Sequence, residues 1–492
     1  MKRLYKAFLF PLSALALLSG CASVGPDYSP PAARLPADFG QPPQGIGTGD
    51  IEVEWWRIFD DPALTALIQR ALAANHDIGI AVARLDEAKA MLREQRQDAL
   101  PHGGAALSYE TRRLGEIERS PGQPRHAEIY RGAVETAWEI DLFGRVRRSV
   151  EAAQAQAGSR EALLRAIQAG VAAEVAAAWF ELRGIEAELN VVADISRSQR
   201  QSLALVDRQL RAGAASEFDR LRAEALLRGT EVTAPELERR RAATANALAS
   251  LLGEMPQTFR LPAAPAENRT PALRTVTVGT PGALLSRRAD IAAAERDLAA
   301  ATALIGVETA ALYPQIEARG AIGLVAGNLD AMSDAGVLSG FISPVIRWSF
   351  LDIGRVRARI AASEARTRQA LLIYDQTVLR ALRETDDAFK AYAGAASTLD
   401  LRLLEAAANR EAARLSQVRF AAGEGVYLEV LEAERADFAS RRAVAIARAN
   451  QQLAVVSIYK ALGGGWEACT TALKDCRGAR GSTPAIKILN EP

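Results

Sequence analysis

The chain repeats itself at a fixed distance. Asp77-Ile78 and Asp290-Ile291 stand 213 residues apart, as do Pro101 and Pro314. Trp138 and Trp348 stand 210 apart. So do Gly144 and Gly354, Gly213 and Gly423, Ala223-Glu224 and Ala433-Glu434, and Leu252-Gly253 and Leu462-Gly463. The offset changes once, between Pro101 and Trp138, where a loop is expected. Scattered chance matches would not hold one offset across whole halves, so the chain is a duplicated unit.

Hydrophobic period gives the content of that unit. Residues from Pro62 to about Ala99 carry a helical pattern, with Asp61 placed to cap it and Pro62 as its first residue. After Pro101 the helical period is lost as far as Phe143. A helical pattern then runs from Gly144 to about Ala212, roughly 68 residues or about 100 Å. A second helix follows, from about Glu217 to Leu252. The order recurs: a helix from about Ala283 to Leu312, a non-helical segment to Ile353, a long helix to about Ala422 and a last one ending near Gly463. The expected organisation is a first repeat over 62–253, a linker over 254–282, a second repeat over 283–465 and a tail over 466–492.

The two non-helical segments, about 102–143 and 315–353, each split into two runs of period two. Tyr130, Val134, Trp138, Ile140 and Leu142 share one parity, against Arg131, Glu135, Glu139 and Asp141. Ile316, Ala318, Gly320, Ile322 and Leu324 oppose Gln315, Glu317 and Arg319. Leu338, Ile342, Pro344, Ile346, Trp348 and Phe350 oppose Ser339, Ser343, Arg347 and Ser349, with Phe341 and Val345 out of step. The run holding Leu107 and Tyr109 alternates more weakly. Two structures fit: a soluble antiparallel sheet with one wet face, or a membrane barrel that is apolar outside and polar within. Four strands cannot close a membrane barrel, so the second needs several copies; three give twelve strands and no free edge. Trp138 and Trp348 are expected as interfacial or lipid-facing anchors, and Gly144 and Gly354 as the turns from strand into helix.

The N-terminus reads as an address. Lys2, Arg3 and Lys6 precede a short apolar run, and "LSGC" ends at Cys21. This resembles a bacterial lipoprotein signal over 1–20 with Cys21 as the lipidated residue, and Ala22 after it suggests sorting to the outer membrane. Pro- and Gly-rich residues 21–61 read as an extended tether. Cys469 and Cys476 can form a local disulfide in an oxidising periplasm. The 60 basic and 59 acidic residues nearly cancel, which argues against nucleic-acid binding. Three separate histidines give no metal-ligand spacing, and neither a nucleophile elbow nor a phosphate loop is present, so catalysis is not expected. No apolar run of helix-spanning length follows the signal, so any membrane crossing falls to the strands.

The segments "EWWRIFDDPALTALI", "AWEIDLFGRVRRSVEAAQAQ", "AGAASEFDRLRAEALL", "RRADIAAAERDLAAA", "LYPQI", "WSFLDIGRVRARI" and "AGEGVYLEVLEAERADF" occur in that order. Together with "LSGC" they resemble the outer-membrane factor family, the TolC-type exit ducts, and most nearly the lipoprotein branch serving resistance-nodulation-division multidrug pumps. The resemblance implies a mixed α+β membrane protein. A homotrimer would form a twelve-stranded barrel in the bacterial outer membrane, continued by a periplasmic helical barrel. It implies passive conduction of drugs and other small molecules, an inner-membrane pump and a periplasmic adaptor as partners, and no cofactor beyond the lipid on Cys21. Gly213, Gly423 and Gly425 fall where the family reverses its helical hairpins. Leu428, Glu432 and Arg435 fall at its periplasmic gate, as an apolar ring, an acidic ring and a tethering position. Glu432 departs from the aspartate common in close relatives: the longer side chain keeps the charge of that ring but leaves its diameter open. A same-fold duct for protein secretion or metal efflux is the alternative, and a structural coiled-coil lipoprotein a more distant one.

Overall fold

A computed structural model describes residues 23–32, 36, 46–48, 53–262, 276–278, 280, 282, 287–334 and 336–464. Cys21, Cys469, Cys476, the signal, the tail and most of the linker lie outside the described residues. Helices are α1 (Pro62–Ala74), α2 (His76–Gln97), α3 (Arg145–Arg211), α4 (Glu217–Glu231), α5 (Thr233–Leu251), α6 (Ala289–Ala310), α7 (Ile353–Ala421) and α8 (Tyr427–Ala461). Strands are β1 (Ile46–Thr48), β2 (His102–Arg113), β3 (His126–Ile140), β4 (Val276–Val278), β5 (Gln315–Ala326) and β6 (Leu338–Arg347). The described residues of 1–33, 83–161 and 293–376 form one compact unit, and those of 34–82, 162–292 and 377–492 a second. These units cut across the sequence repeats, because each long helix runs through both.

The first unit holds an antiparallel sheet in the order β2-β3-β5-β6. Its register gathers the predicted apolar parity onto one face. Leu107 is level with Gly132, Leu324 and Leu338, and Ile140 with Ile316 and Ile346. That face is open at Leu107 (88% exposed) and Ile342 (89%), while Ile140 and Ile316 are half-buried. The other face carries Glu135, Glu139, Arg131, Arg319 and Arg347, with Arg319 Nε donating to Glu317 Oε1 at 2.9 Å. Phe341 and Val345, the two residues out of step, lie on this polar face.

The repeated tryptophans make the same bond twice. Trp138 Nε1 donates to Ala99 O at 3.0 Å, and Trp348 Nε1 to Leu312 O at 3.0 Å. Each indole thereby satisfies a carbonyl left open just past a helix end, α2 or α6. The repeated glycines are not equivalent. Gly144 has φ +82° and precedes α3, whereas Gly354 is the second residue of α7, with no left-handed φ and no atom within 4 Å of a built Cβ. The expected turn at Gly354 is therefore corrected: a single 3-10 turn over Phe350–Asp352 leads straight into the helix. Gly144 differs because a third segment crosses it. A Cβ there would stand 2.7 Å from the Cα of Ser23. The segment is fixed by Val24 N donating to Phe143 O at 3.1 Å, by Asp27 pairing with Arg148 at 2.6 Å, and by Tyr28 Oη donating to Glu295 at 2.9 Å.

In the second unit, the close of the expected tether is core. Trp55, Trp56, Ile58 and Phe59 are buried, and Trp55 stacks on Tyr459 at 5.3 Å. The extended tether over 21–61 is thus corrected at both ends, since residues after Ser23 dock on the first unit and Trp55–Phe59 pack inside the second. Asp61 caps α1 as expected: Oδ1 accepts from Ala63 N at 2.9 Å, and Oδ2 accepts from buried Trp179 Nε1 at 2.8 Å. Two expected helices are each divided. Asn75 Oδ1 accepts from Asp77 N at 2.9 Å and caps α2, which separates it from α1. Pro235, without an N–H, can sit only in a first turn, so the helix after Glu217 restarts at Thr233. α8 has no proline and runs unbroken for 35 residues. One stretch of α3 is apolar enough to cross a bilayer by composition, but 56% of it is buried within the protein.

Candidate functional site

The two hairpins of the second unit reverse in the same way. Gly213 (φ +72°) and Gly423 (φ +81°) each follow the last turn of a long helix. Ala214 N donates to Gln209 O at 2.8 Å, and Glu424 N to Arg419 O at 2.9 Å. This six-residue closure is the Schellman stop that left-handed glycine permits. Gly425 takes no left-handed conformation, so the tight reversal expected there is corrected: Gly423 alone makes it. The helices restart differently. Ser216 and Asp219 form a capping box for α4, with Asp219 N donating to Ser216 Oγ at 3.2 Å and Ser216 N to Asp219 Oδ2 at 3.1 Å. Val426 offers α8 no side-chain cap.

Packing then fixes which face of α8 is free. Tyr427, Val430 and Leu431 are buried against Val206 of α3 and against Ala223 and Leu226 of α4. Phe420 completes this cluster, its ring 5.2 Å from that of Tyr427. Leu428, Glu432 and Arg435, at i, i+4 and i+7, consequently form one exposed stripe on the opposite side. Leu428 is 46% exposed although large and apolar. The stripe presents, in order from the hairpin end, an apolar, an acidic and a basic side chain.

The buried face of α8 continues past Leu431 with two acids that the sequence reading did not single out. Glu434 is 4% and Asp437 7% exposed. Glu434 Oε1 accepts from Ser202 Oγ at 2.6 Å and from Gln417 Nε2 at 2.7 Å. Burial lifts its carboxyl above the ordinary 4.5, Ser202 and Gln417 pull it back, and Asp437 pushes it up again. The signal was the spacing itself: Tyr427 to Glu434 and Val430 to Asp437 are heptad steps along the apolar stripe. The counterpart Glu224 is only half-buried and pairs with Arg220 at 3.2 Å.

Comparison with known proteins supplies the frame for this geometry. The outer membrane efflux protein family model matches residues 67–254 and 280–464. The chain is 32% identical to the outer membrane protein OprJ of Pseudomonas aeruginosa over 466 residues, 93% of this chain and 96% of that one. It is 31% identical to the solvent efflux pump outer membrane protein SrpC of Pseudomonas putida, over 93% of this chain and 98% of that one. Among solved structures, the outer-membrane channel OprN superposes with a TM-score of 0.84 at 34% identity, covering 90% of this chain and 99% of the other.

Proposed function

Because the chain belongs to the outer membrane efflux protein family, and is an outer-membrane exit duct for efflux, we propose that it works as a homotrimer. The observation that carries this is the sheet. Four strands display a continuous apolar face, Leu107, Val134, Ile322 and Ile342, and among the described residues the outer edges of β2 and β6 are unpaired. Bare edges and an open apolar face are unfavourable in water and favourable in a closed barrel within lipid. Three copies close twelve strands, with the polar face of Glu135, Arg319 and Arg347 lining the lumen. The exposed helices of the second unit continue the duct into the periplasm.

The account extends to anchoring and gating. Cys21 carries the lipid, and the docking of Ser23 and Val24 beside Phe143 and Gly144 supports an anchor close to the strand-to-helix junction. The duct is passive, and a periplasmic adaptor with an inner-membrane pump loads it with drugs and other small molecules. SrpC serves a solvent pump by its name, and apolar organic molecules are a natural cargo class for this duct also. Leu428 forms the apolar ring of the gate and Glu432 an acidic ring that attracts cations and repels anions. Arg435 tethers the closed form. The repeats span 62–253 and 283–465. Native mass measurement of the detergent-purified protein tests the assembly: three copies are expected, and a monomer or dimer would overturn it. Labelled palmitate should enter the wild type and not Cys21→Ser.

A further inference from the structure

Glu434 and Asp437 belong to neither the gate stripe nor the core cluster. They line a cavity of about 170 Å³, walled by Ser198 and Gln199 of α3 and by Arg410, Arg414 and Gln417 of α7. Glu434 Oε2 and Asp437 Oδ1 have no hydrogen-bond partner. Gln199, 2% exposed, leaves both its amide oxygen and its amide nitrogen unpartnered. Buried polar atoms are almost always bonded, so three such side chains around one polar cavity require an occupant. Among the described residues no cation pairs with Glu434. Asp437 is less isolated: Arg441 pairs with its Oδ2 at 3.8 Å while bonding Asp194 at 3.1 Å, and Arg414 pairs with Glu411 at 2.6 Å. Arg410 stands on the exposed side of α7, where its charge acts on Asp437. From the hairpin end, the Tyr427 phenol lies in the fields of Glu434 and of Asp219 on α4.

We propose that this cavity is a proton-binding site, in which Glu434 and Asp437 hold a shared proton together with water. Losing the proton places two like charges inside the packing of α3, α7 and α8, directly behind the candidate gate stripe. Three arginines around the cavity make it a poor host for a metal cation, which would compete with their charge. A proton meets weaker repulsion than a divalent ion, and at Asp437 burial outweighs the lowering by Arg441 and Arg410. It turns Glu434 Oε2 or Asp437 Oδ1 into a donor, and Gln199 Oε1 is an acceptor in waiting. Burial raises both carboxyls above their ordinary values, which is the same direction.

The sign of the linkage is fixed. A carboxyl raised in the folded state contributes full stability below its ordinary value and loses it as pH rises through the folded value. Infrared difference spectra of the full-length protein in detergent should show the C=O stretch of a protonated carboxylic acid at pH above the ordinary carboxylate range. Glu434→Gln should remove that band, and Asp437→Asn, by deleting a like charge, should move its loss to a different pH. The wild-type melting temperature should fall as pH rises above the ordinary carboxylate range, and Glu434→Gln should flatten the fall. If Glu434→Gln does not assemble, the wild-type band and its displacement in Asp437→Asn decide the matter. Absence of the band from the wild type overturns the proposal. So does a wild-type melting temperature that rises with pH and rises further with millimolar Mg²⁺ or Ca²⁺, which would make the cavity a cation site.

Discussion

Gly144 and Gly354 occupy equivalent places in a duplicated sequence, yet replacing each by alanine should act in opposite directions. At Gly144 the backbone has φ +82°, which costs an L residue about 1–2 kcal/mol. The new Cβ would also meet Ser23 at 2.5 Å from Oγ and 2.7 Å from Cα, so the N-terminal segment must shift. Losing the bond from Val24 N to Phe143 O adds about 0.5–1.5 kcal/mol. The total is about 1.5–3.5 kcal/mol, and at about 2 °C per kcal/mol for a long chain the melting temperature should drop by about 3–7 °C. At Gly354 the residue is helical with open space around it, and alanine should stabilise by up to about 0.5 kcal/mol. Thermal unfolding of both variants in the same detergent makes the comparison. Equal losses, or a larger loss at Gly354, would refute the claim that the N-terminal segment makes the two junctions different.

Asp61→Ala removes the cap of α1 and strands the buried Trp179 N–H, at a cost of about 2–4 kcal/mol readable by denaturant unfolding. Arg288→Met should cost about 2–4 kcal/mol, because the buried guanidinium bonds Asp290, Glu384 and Ala461 O together. Burial alone would raise the Asp290 carboxyl, but Arg288 holds it below the ordinary 3.8. That stability is present above the ordinary value and is lost as pH falls through the folded one, so acid titration should find it in the wild type and not in Arg288→Met. Trp138→Phe and Trp348→Phe each delete one indole bond and should cost similar amounts, about 0.5–1.5 kcal/mol by melting.

The architecture was written in the chain to an unusual depth because two periods survive in it. Alternation in the strands named the residues of each sheet face, and even Phe341 and Val345 were visible as exceptions. Register and strand order were not visible, since the pairing of β3 with β5 that joins the two hairpins spans more than a hundred residues. The break before Thr233 was legible in Pro235, a local rule that the long helical pattern obscured. Gly354 was misread because its likeness to Gly144 is sequential, while what sets Gly144 apart is the close approach of Ser23, a partner far off in the chain. At the candidate gate, Leu428, Glu432 and Arg435 follow helical spacing and share the exposed stripe. Glu434 and Asp437 escaped notice because acids on a helix ordinarily mark a wet face. Here they continue the heptad of Tyr427 and Val430 inward.

The central claim is that this chain builds a pore whose narrow point lies on the exposed stripe of α8. Single-channel recording of the purified oligomer in planar bilayers tests it most directly. The account predicts discrete, cation-preferring openings of small conductance, and larger ones when Leu428→Ala and Glu432→Ala are combined. An oligomer that gives no conductance would contradict the duct, and an unchanged conductance in the double variant would place the constriction elsewhere.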